Sequence, residues 1–223
     1  MKPNQREDKL YNEGKRSKIE IEEEALFGFL KDISRKGSLL DIGCGTGTSA
    51  AVVKNMGFKV FCTDFSFEAL KAAKREHALD CYLSDLDSGL PVKNKIFDVV
   101  WAADIIEHLF DPIFALSEIS RVLKKGGILL AVIPNDLYIS NRLRVLLGGS
   151  YQHPGYIKFS HYKHHTFFSH NLFRYMLERN NLKIEKRFNI YKLPRISKCI
   201  RAAGSGPIAN LFSTTLIYKI VKS

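Results

Sequence analysis

Leu39-Leu-Asp-Ile-Gly-Cys-Gly-Thr-Gly47 joins a short apolar run to the start of a helical pattern, and this turn decides the fold. Ser38 to Ile42 reads as a buried strand, and the residues after Gly47, to about Met56, as a helix. Glycines between the two let the backbone approach a ligand closely, and the open helix N-terminus behind them favours an anionic group. Dinucleotide-binding turns follow G-x-G-x-x-G, but here the third glycine falls at position 47 and position 48 is Thr. No G-x-x-x-x-G-K-[ST] occurs, which excludes a P-loop. Asp41, just ahead of the loop, is poor company for a pyrophosphate and suits a ligand offering an ammonium group or other donors.

Outward from this turn, strands and helices alternate. Before it, Ile19, Ile21, Ala25, Leu26, Phe29, Leu30 and Ile33 recur at mostly helical spacing from Ser17 towards Gly37, preceded by a polar arm over 1–16. After it come strands over Phe58–Thr63, Leu79–Leu83, Phe97–Ala102 and Ile128–Ile133. A helix capped by Ser66 runs to Ala78, and another spans Pro112 to Lys124, ahead of Gly126-Gly127. Continuous apolar runs such as Ile-Leu-Leu-Ala-Val-Ile predict a parallel sheet covered on both faces. Further strands are expected over Leu182–Tyr191 and Thr214–Val221, with a helix capped by Ser169 before them and a basic Gly/Pro-punctuated connector between them. The expected fold is a Rossmann-like three-layer α/β/α sandwich in one domain over 1–223, with a lid or acceptor-side insertion over 135–170.

The 223 residues are 45% hydrophobic and 26% charged, ordinary globular proportions that argue against disorder. Net charge is +11, unevenly divided: residues 1–134 carry 19 Lys+Arg against 20 Asp+Glu, residues 135–223 carry 15 against 3. The glycine-loop half is therefore near neutral and the remainder +12, which places any attraction for an acidic partner after Pro134. Four separated cysteines without a C-x-x-C pair read as reduced thiols. The charged N-terminus lacks a secretory h-region and no apolar run reaches spanning length, so a soluble, cytoplasmic protein is expected.

Two more acids end successive strands. Asp64 is placed to accept the hydroxyls of a ribose, and Asp85 to accept from an adenine amine. Here the chain resembles the class I S-adenosylmethionine-dependent methyltransferases over about residues 20–190. The resemblance rests on Leu40-Asp-Ile-Gly-Cys-Gly-Thr-Gly47, Cys62-Thr-Asp-Phe-Ser66, Ser84-Asp-Leu-Asp-Ser-Gly-Leu-Pro91, the run Phe97 to Leu109, and Arg121-Val-Leu-Lys-Lys-Gly-Gly127. It is closest to the type 11 group that includes ubiquinone-biosynthesis O-methyltransferases. It implies S-adenosyl-L-methionine as cofactor and a mostly parallel seven-stranded sheet whose last strand runs antiparallel beside strand six. It also implies Asp41, Gly43, Gly45 and Gly47 around the methionine part, Asp64 on the ribose, and Phe65 beside the adenine. Asp85 and Leu86 would meet the adenine edge, and Ala102 and Ala103 the methionine side.

Asp104, Glu107 and His108 share a face if the turn after strand four is helical. Many members of the family keep such an acid–His pair without a metal, which implies a role in ordering the cofactor loop. His164-His-Thr-Phe-Phe-Ser-His-Asn-Leu-Phe173 is similar to a segment of ubiquinone-type O-methyltransferases. In those enzymes and the small-RNA 2′-O-methyltransferases the matching residues bind a divalent metal, which would make Asp104, Glu107, His108 and His164 ligands. Either way Glu107, His108 and His164 are the candidate catalytic residues, while His161, His165 and His170 read as lid or surface.

Asn141-Arg-Leu-Arg-Val-Leu-Leu-Gly148 reads as an amphipathic lid helix, with an interfacial helix for anionic lipid as the alternative. The expected reaction is O-methylation of an anionic small-molecule, glycan or lipid-linked acceptor by direct in-line transfer, with peripheral membrane contact as an alternative. Rival readings are an RNA 2′-O-methyltransferase, which the basic, aromatic second part would serve, and a non-catalytic cofactor-fold scaffold docking through that part.

Overall fold

A computed structural model describes residues 18–149, 164–192, 199–203 and 206–223. The predicted arm over 1–16, His161, and part of the 135–170 insertion lie outside the described residues.

The glycine turn sits where its sequence puts it. Helix α1 (Lys18–Lys31) leads to β1 (Ser38–Ile42), and α2 (Thr48–Asn55) begins directly after Gly47. β2 (Lys59–Asp64), α3 (Phe67–His77), β3 (Asp80–Leu83), β4 (Phe97–Ala103), α4 (Pro112–Val122) and β5 (Leu123–Pro134) follow. Side-chain caps start three of the helices. Ser66 accepts from the Ala69 amide, Asp111 from Phe114 with Pro112 in the first turn, and Ser169 from Leu172. Beyond β5 come α5 (Ile139–Leu146), α6 (His170–Glu178), β6 (Leu182–Lys192), β7 (Cys199–Ala203), α7 (Pro207–Phe212) and β8 (Thr215–Lys222).

The strands form one eight-stranded sheet in the order β3-β2-β1-β4-β5-β8-β6-β7. β1 to β5 pair in parallel, and β8 inserts antiparallel to both β5 and β6. The sheet has one strand more than the seven expected: β7 pairs antiparallel with β6 inside the stretch read as a connector. Its flanking Gly and Pro residues hid a five-residue edge strand.

Alternation along β4 divides the core. Val100 and Ala102 pack with Leu40, Leu129, α4 (Leu116, Ile119) and α6 (Phe173, Leu177) on one face. Val99 and Trp101 pack with Leu39, Leu130, α1 (Leu26, Phe29), α2 (Val53) and α3 (Ala73) on the other. Each face is therefore sealed by helices, the arrangement a continuous apolar strand requires. Full burial of each such Leu, Ile or Phe contributes about 1.5–3 kcal/mol. Strand order reverses between β1 and β4, which opens a crevice at their carboxyl ends.

Candidate functional site

The glycine loop crosses that crevice. Gly43, Gly45 and Gly47 all have positive φ, of 71°, 54° and 80°. A side chain on Gly43 would strike Ile105, and one on Gly47 would strike Leu79 and Ala73, so two of the three are also required by packing. The Gly43 and Cys44 amides donate to Thr63 O at 2.7 and 3.2 Å, tying the loop to β2.

Asp64 fixes the loop from the next strand. One carboxylate oxygen accepts from the Gly45 amide at 2.9 Å and the other from Ser66 at 2.8 Å. With Phe65, Asp85 and Asp87 it lines a cleft of about 760 Å³ that also takes in Gly43, Gly45, Asp104 and His108. Phe65 stands out from the surface at 64% exposure, an apolar face of the kind a planar base covers. Asp85 caps the short 3-10 turn Leu86–Ser88 by accepting from Asp87. The Leu86 and Ala102 side chains are buried in the core and line none of the cavities described here, while Ala103 lines a smaller neighbouring pocket.

That pocket, about 190 Å³, is acidic: Asp41, Glu22, Glu23 and Asp104 share its wall with Ser49 and Trp101. Ser49 donates its hydroxyl to Glu23. Burial, then the charges of Asp64 and Glu23, pushes the Asp41 carboxyl up to about 8. A buried acid that ionises with difficulty, beside further carboxyl groups, suits a cationic ligand group that would offset their charge. Glu22 and Glu23 went unrecognised in the sequence because they occupy α1, where acids ordinarily mark a solvated face. A run of three acids inside an otherwise apolar helix was the available signal.

On the far side of the cleft, a 3-10 turn spans Ile106–His108. Asp104 precedes it with a left-handed backbone (φ 53°), so the shared helical face expected for Asp104, Glu107 and His108 does not form. Glu107 is buried, with His108 Nε2 at 3.9 Å from its Oε1. The amides of His165 and Thr166 donate to Glu107 O at 2.8 and 3.4 Å, which draws in the segment after the insertion. His164 and His108 rings consequently lie 5.0 Å apart, near perpendicular. Ligand atoms of Glu107, His108 and His164 all fall within 4.8 Å of one another, and Asp104 stands outside that group. His165 packs instead on Phe110, and His170 turns to the Tyr218 hydroxyl at 3.0 Å.

Asp136, which the sequence did not single out, completes this corner. It follows β5 and accepts from the Phe168 amide at 2.8 Å through Oδ2, while Oδ1 lies 3.4 Å from His164 Nδ1. Asp87 is a second unforeseen residue: it accepts from the Phe110 and Asp111 amides and fastens the start of α4 to the cleft rim.

Two of the sequence-expected features need a cofactor with a cationic end and a nucleoside, and the residues present fit one. The acidic pocket adjoins the glycine loop, and the exposed ring, Asp64 at the end of β2 and the acids of the turn after β3 line the larger cleft.

Residues 40–131 match the family described as "Methyltransferase domain". A malonyl-[acyl-carrier protein] O-methyltransferase of Buchnera aphidicola is 33% identical over 117 residues, 52% of this chain and 47% of that protein. A demethylmenaquinone methyltransferase of Renibacterium salmoninarum is 34% identical over 89 residues, covering 40% and 38%. The chain thus spans about half the length, or less, of these curated relatives. Among solved structures, an S-adenosylmethionine-dependent methyltransferase of Thermotoga maritima has a TM-score of 0.68 at 21% identity, over 91% of this chain and 89% of that one. A TehB-like S-adenosylmethionine-dependent methyltransferase of Corynebacterium glutamicum has a TM-score of 0.63 at 19% identity, over 99% and 96%.

Proposed function

We propose, on the premise that residues 40–131 are an S-adenosylmethionine-dependent methyltransferase domain, that this protein methylates an oxygen of a small or carrier-linked acceptor. The observation that carries this reading is the Asp136–His164 pair, whose His164 ring lies 5.0 Å from that of His108, a residue lining the 760 Å³ cleft. The malonyl-[acyl-carrier protein] relatives are named as O-methyltransferases, which supports oxygen as the acceptor atom.

When bound, S-adenosylmethionine supplies an electrophilic methyl carbon, and the chain's own residues hold and aim the two partners. Asp64 would accept the ribose hydroxyls, Phe65 would cover the adenine and Asp85 would accept from its amine. Asp41, Glu22 and Glu23 would receive the ammonium end. His164 takes the proton of an acceptor hydroxyl at Nε2, since Asp136 at Nδ1 selects the tautomer with that nitrogen unprotonated. Glu107, through its backbone oxygen, keeps His164 close to His108. Positioning the acceptor in line supplies much of the rest of the acceleration.

A second reading is favoured by the compactness of the same corner. Glu107, His108 and His164 offer carboxylate and imidazole donors suited to a divalent cation, which would lower the pKa of an acceptor hydroxyl. Chelator-sensitive activity restored by Mg²⁺ or Mn²⁺ distinguishes it from the metal-free base.

Labelled-methyl transfer into a cell extract, fractionated into small molecules, lipid, glycan, RNA and protein, tests the proposal. Label in the small-molecule, lipid or carrier fraction is expected. Label confined to RNA replaces the acceptor with the 2′-hydroxyl of RNA, and no label in any fraction leaves a non-catalytic scaffold.

A further inference from the structure

Resting on the methyl-transfer reading, we infer that a second cavity, lined by Asn135 next to Asp136, is an anion subsite that takes a phosphate or diphosphate group of the methyl acceptor. The cavity measures about 680 Å³, room for such a group with part of the chain it carries. It lies between the end of β5, α5, the first turn of α6 and α7. Arg142, Arg174, His170, Asn171, Ser169 and Asn210 supply its polar lining, and none of the described lining residues is acidic.

Its donors are set in place by bonds elsewhere. Arg142 donates from Nε to Leu137 O at 2.5 Å, and no partner for its two Nη groups is found among the described residues. Buried Arg187 donates to Asn210 Oδ1 at 2.7 Å, which leaves the Asn210 amide nitrogen as the group that side chain can offer. Buried Asn135 donates to the backbone oxygens of Asn210 and Ser213 at 2.6 and 2.7 Å, so α7 and the end of β5 move as one wall. Arg174 has Glu178 at 3.8 Å, but both side chains are more than half exposed, where such a pair is weak and a phosphate competes well.

His170 registers the positive field of the cavity. Its ring is half-buried against Tyr218 OH, and burial, then the charges of Arg187 and Arg174, lowers its pKa to about 4. An anion held by Arg142 and Arg174 offsets those charges and raises it.

Location links the cavity to the reaction. Asn135 lines it, and the next residue, Asp136, holds His164, whose ring faces His108 in the cofactor cleft. An acceptor lying across this row would present one end to His164 and its anionic end to Arg142 and Arg174.

Inorganic pyrophosphate is the probe, followed by calorimetry and by NMR titration of the His170 ring in the whole chain. Saturable binding is expected, with the His170 pKa rising on addition. Arg142→Gln and Arg174→Gln should each weaken binding about tenfold, as loss of one charge-assisted contact does. Both side chains are exposed, so unchanged thermal unfolding confirms folding. Absence of binding at about 10 mM pyrophosphate, an affinity far below what two paired guanidinium contacts give, overturns the inference. So does binding that both variants retain. Pantetheine 4′-phosphate and phosphatidylcholine vesicles containing phosphatidic acid form separate arms that tell a soluble phosphate ester from a lipid headgroup. In either arm, binding lost in the double variant supports the subsite and binding kept there overturns it. S-adenosylhomocysteine titrated into the same samples reports on the cofactor cleft alone, so failure of the methyltransferase reading appears there and nowhere else.

Discussion

Asp41 carries the clearest consequence at the scale of a single residue. In the unfolded chain its carboxyl titrates near 3.9, whereas in the fold it is pushed up to about 8 by burial and by Asp64 and Glu23. Between those values the folded form binds more protons than the unfolded one, so Asp41 lowers stability progressively as pH rises from about 4 to about 8, with no further loss above. Asp41→Asn removes that dependence. Chemical denaturation of the cofactor-free protein should find the variant more stable at pH 8 by on the order of 1–3 kcal/mol, with the gap closing towards pH 4. An equal gap at both pH values contradicts the burial of this acid. The sequence marked Asp41 by its place before the glycines, but its neighbours Glu22 and Glu23 arrive from α1, and no local spacing connects them to it.

At the scale of elements, the glycine turn and the alternation of β1 to β5 with helices were legible because β1, β4 and the second part of β5 carry continuous apolar runs and α3 and α4 start at side-chain caps. The edge strand β7 was not, since five residues between Gly and Pro carry no periodicity. The insertion of β8 between β5 and β6 followed from resemblance alone. The corner at His164 shows the same limit. Its position beside His108 depends on His165 and Thr166 donating to Glu107 O, and on Asp136 bridging to Phe168, backbone contacts that side-chain patterns do not announce. Asp136→Asn preserves volume and an acceptor for the Phe168 amide while removing the carboxylate at Nδ1. The expected result is a fall in kcat of at least about tenfold, within the range that general-base catalysis contributes, with thermal unfolding and cofactor affinity unchanged. A parallel loss of stability and cofactor binding, with kcat intact, assigns Asp136 to the fold instead.

Across the whole molecule, charge and matched family region divide at the same place. The methyltransferase match ends at residue 131, and the excess of +12 begins after Pro134. The stretch of chain that lines the 760 Å³ cleft is near neutral, while the stretch after Pro134, which builds the second cavity, is strongly basic. No helix among the described residues is long and apolar enough to cross a membrane, and the apolar residues Leu146 and Leu147 near the end of α5 are 80% and 83% exposed. An anionic acceptor meeting the basic half should show a KM that rises steeply between about 50 and about 500 mM salt, because screening shortens the reach of exposed charges from roughly 14 to roughly 4 Å. Cofactor affinity should change little over that range. Equal salt dependence of both would detach the basic half from acceptor recognition.

The crevice between β1 and β4 is expected to bind S-adenosylmethionine through Asp64 and the glycine loop. Titration calorimetry with S-adenosylhomocysteine, on the intact chain and on Asp64→Ala, measures this. A single site is expected, with a Kd in the range of about 1–100 µM, equivalent to roughly 5–8 kcal/mol, weakened at least about tenfold by the substitution. No heat of binding to the intact chain, or the same affinity in the variant, would contradict it.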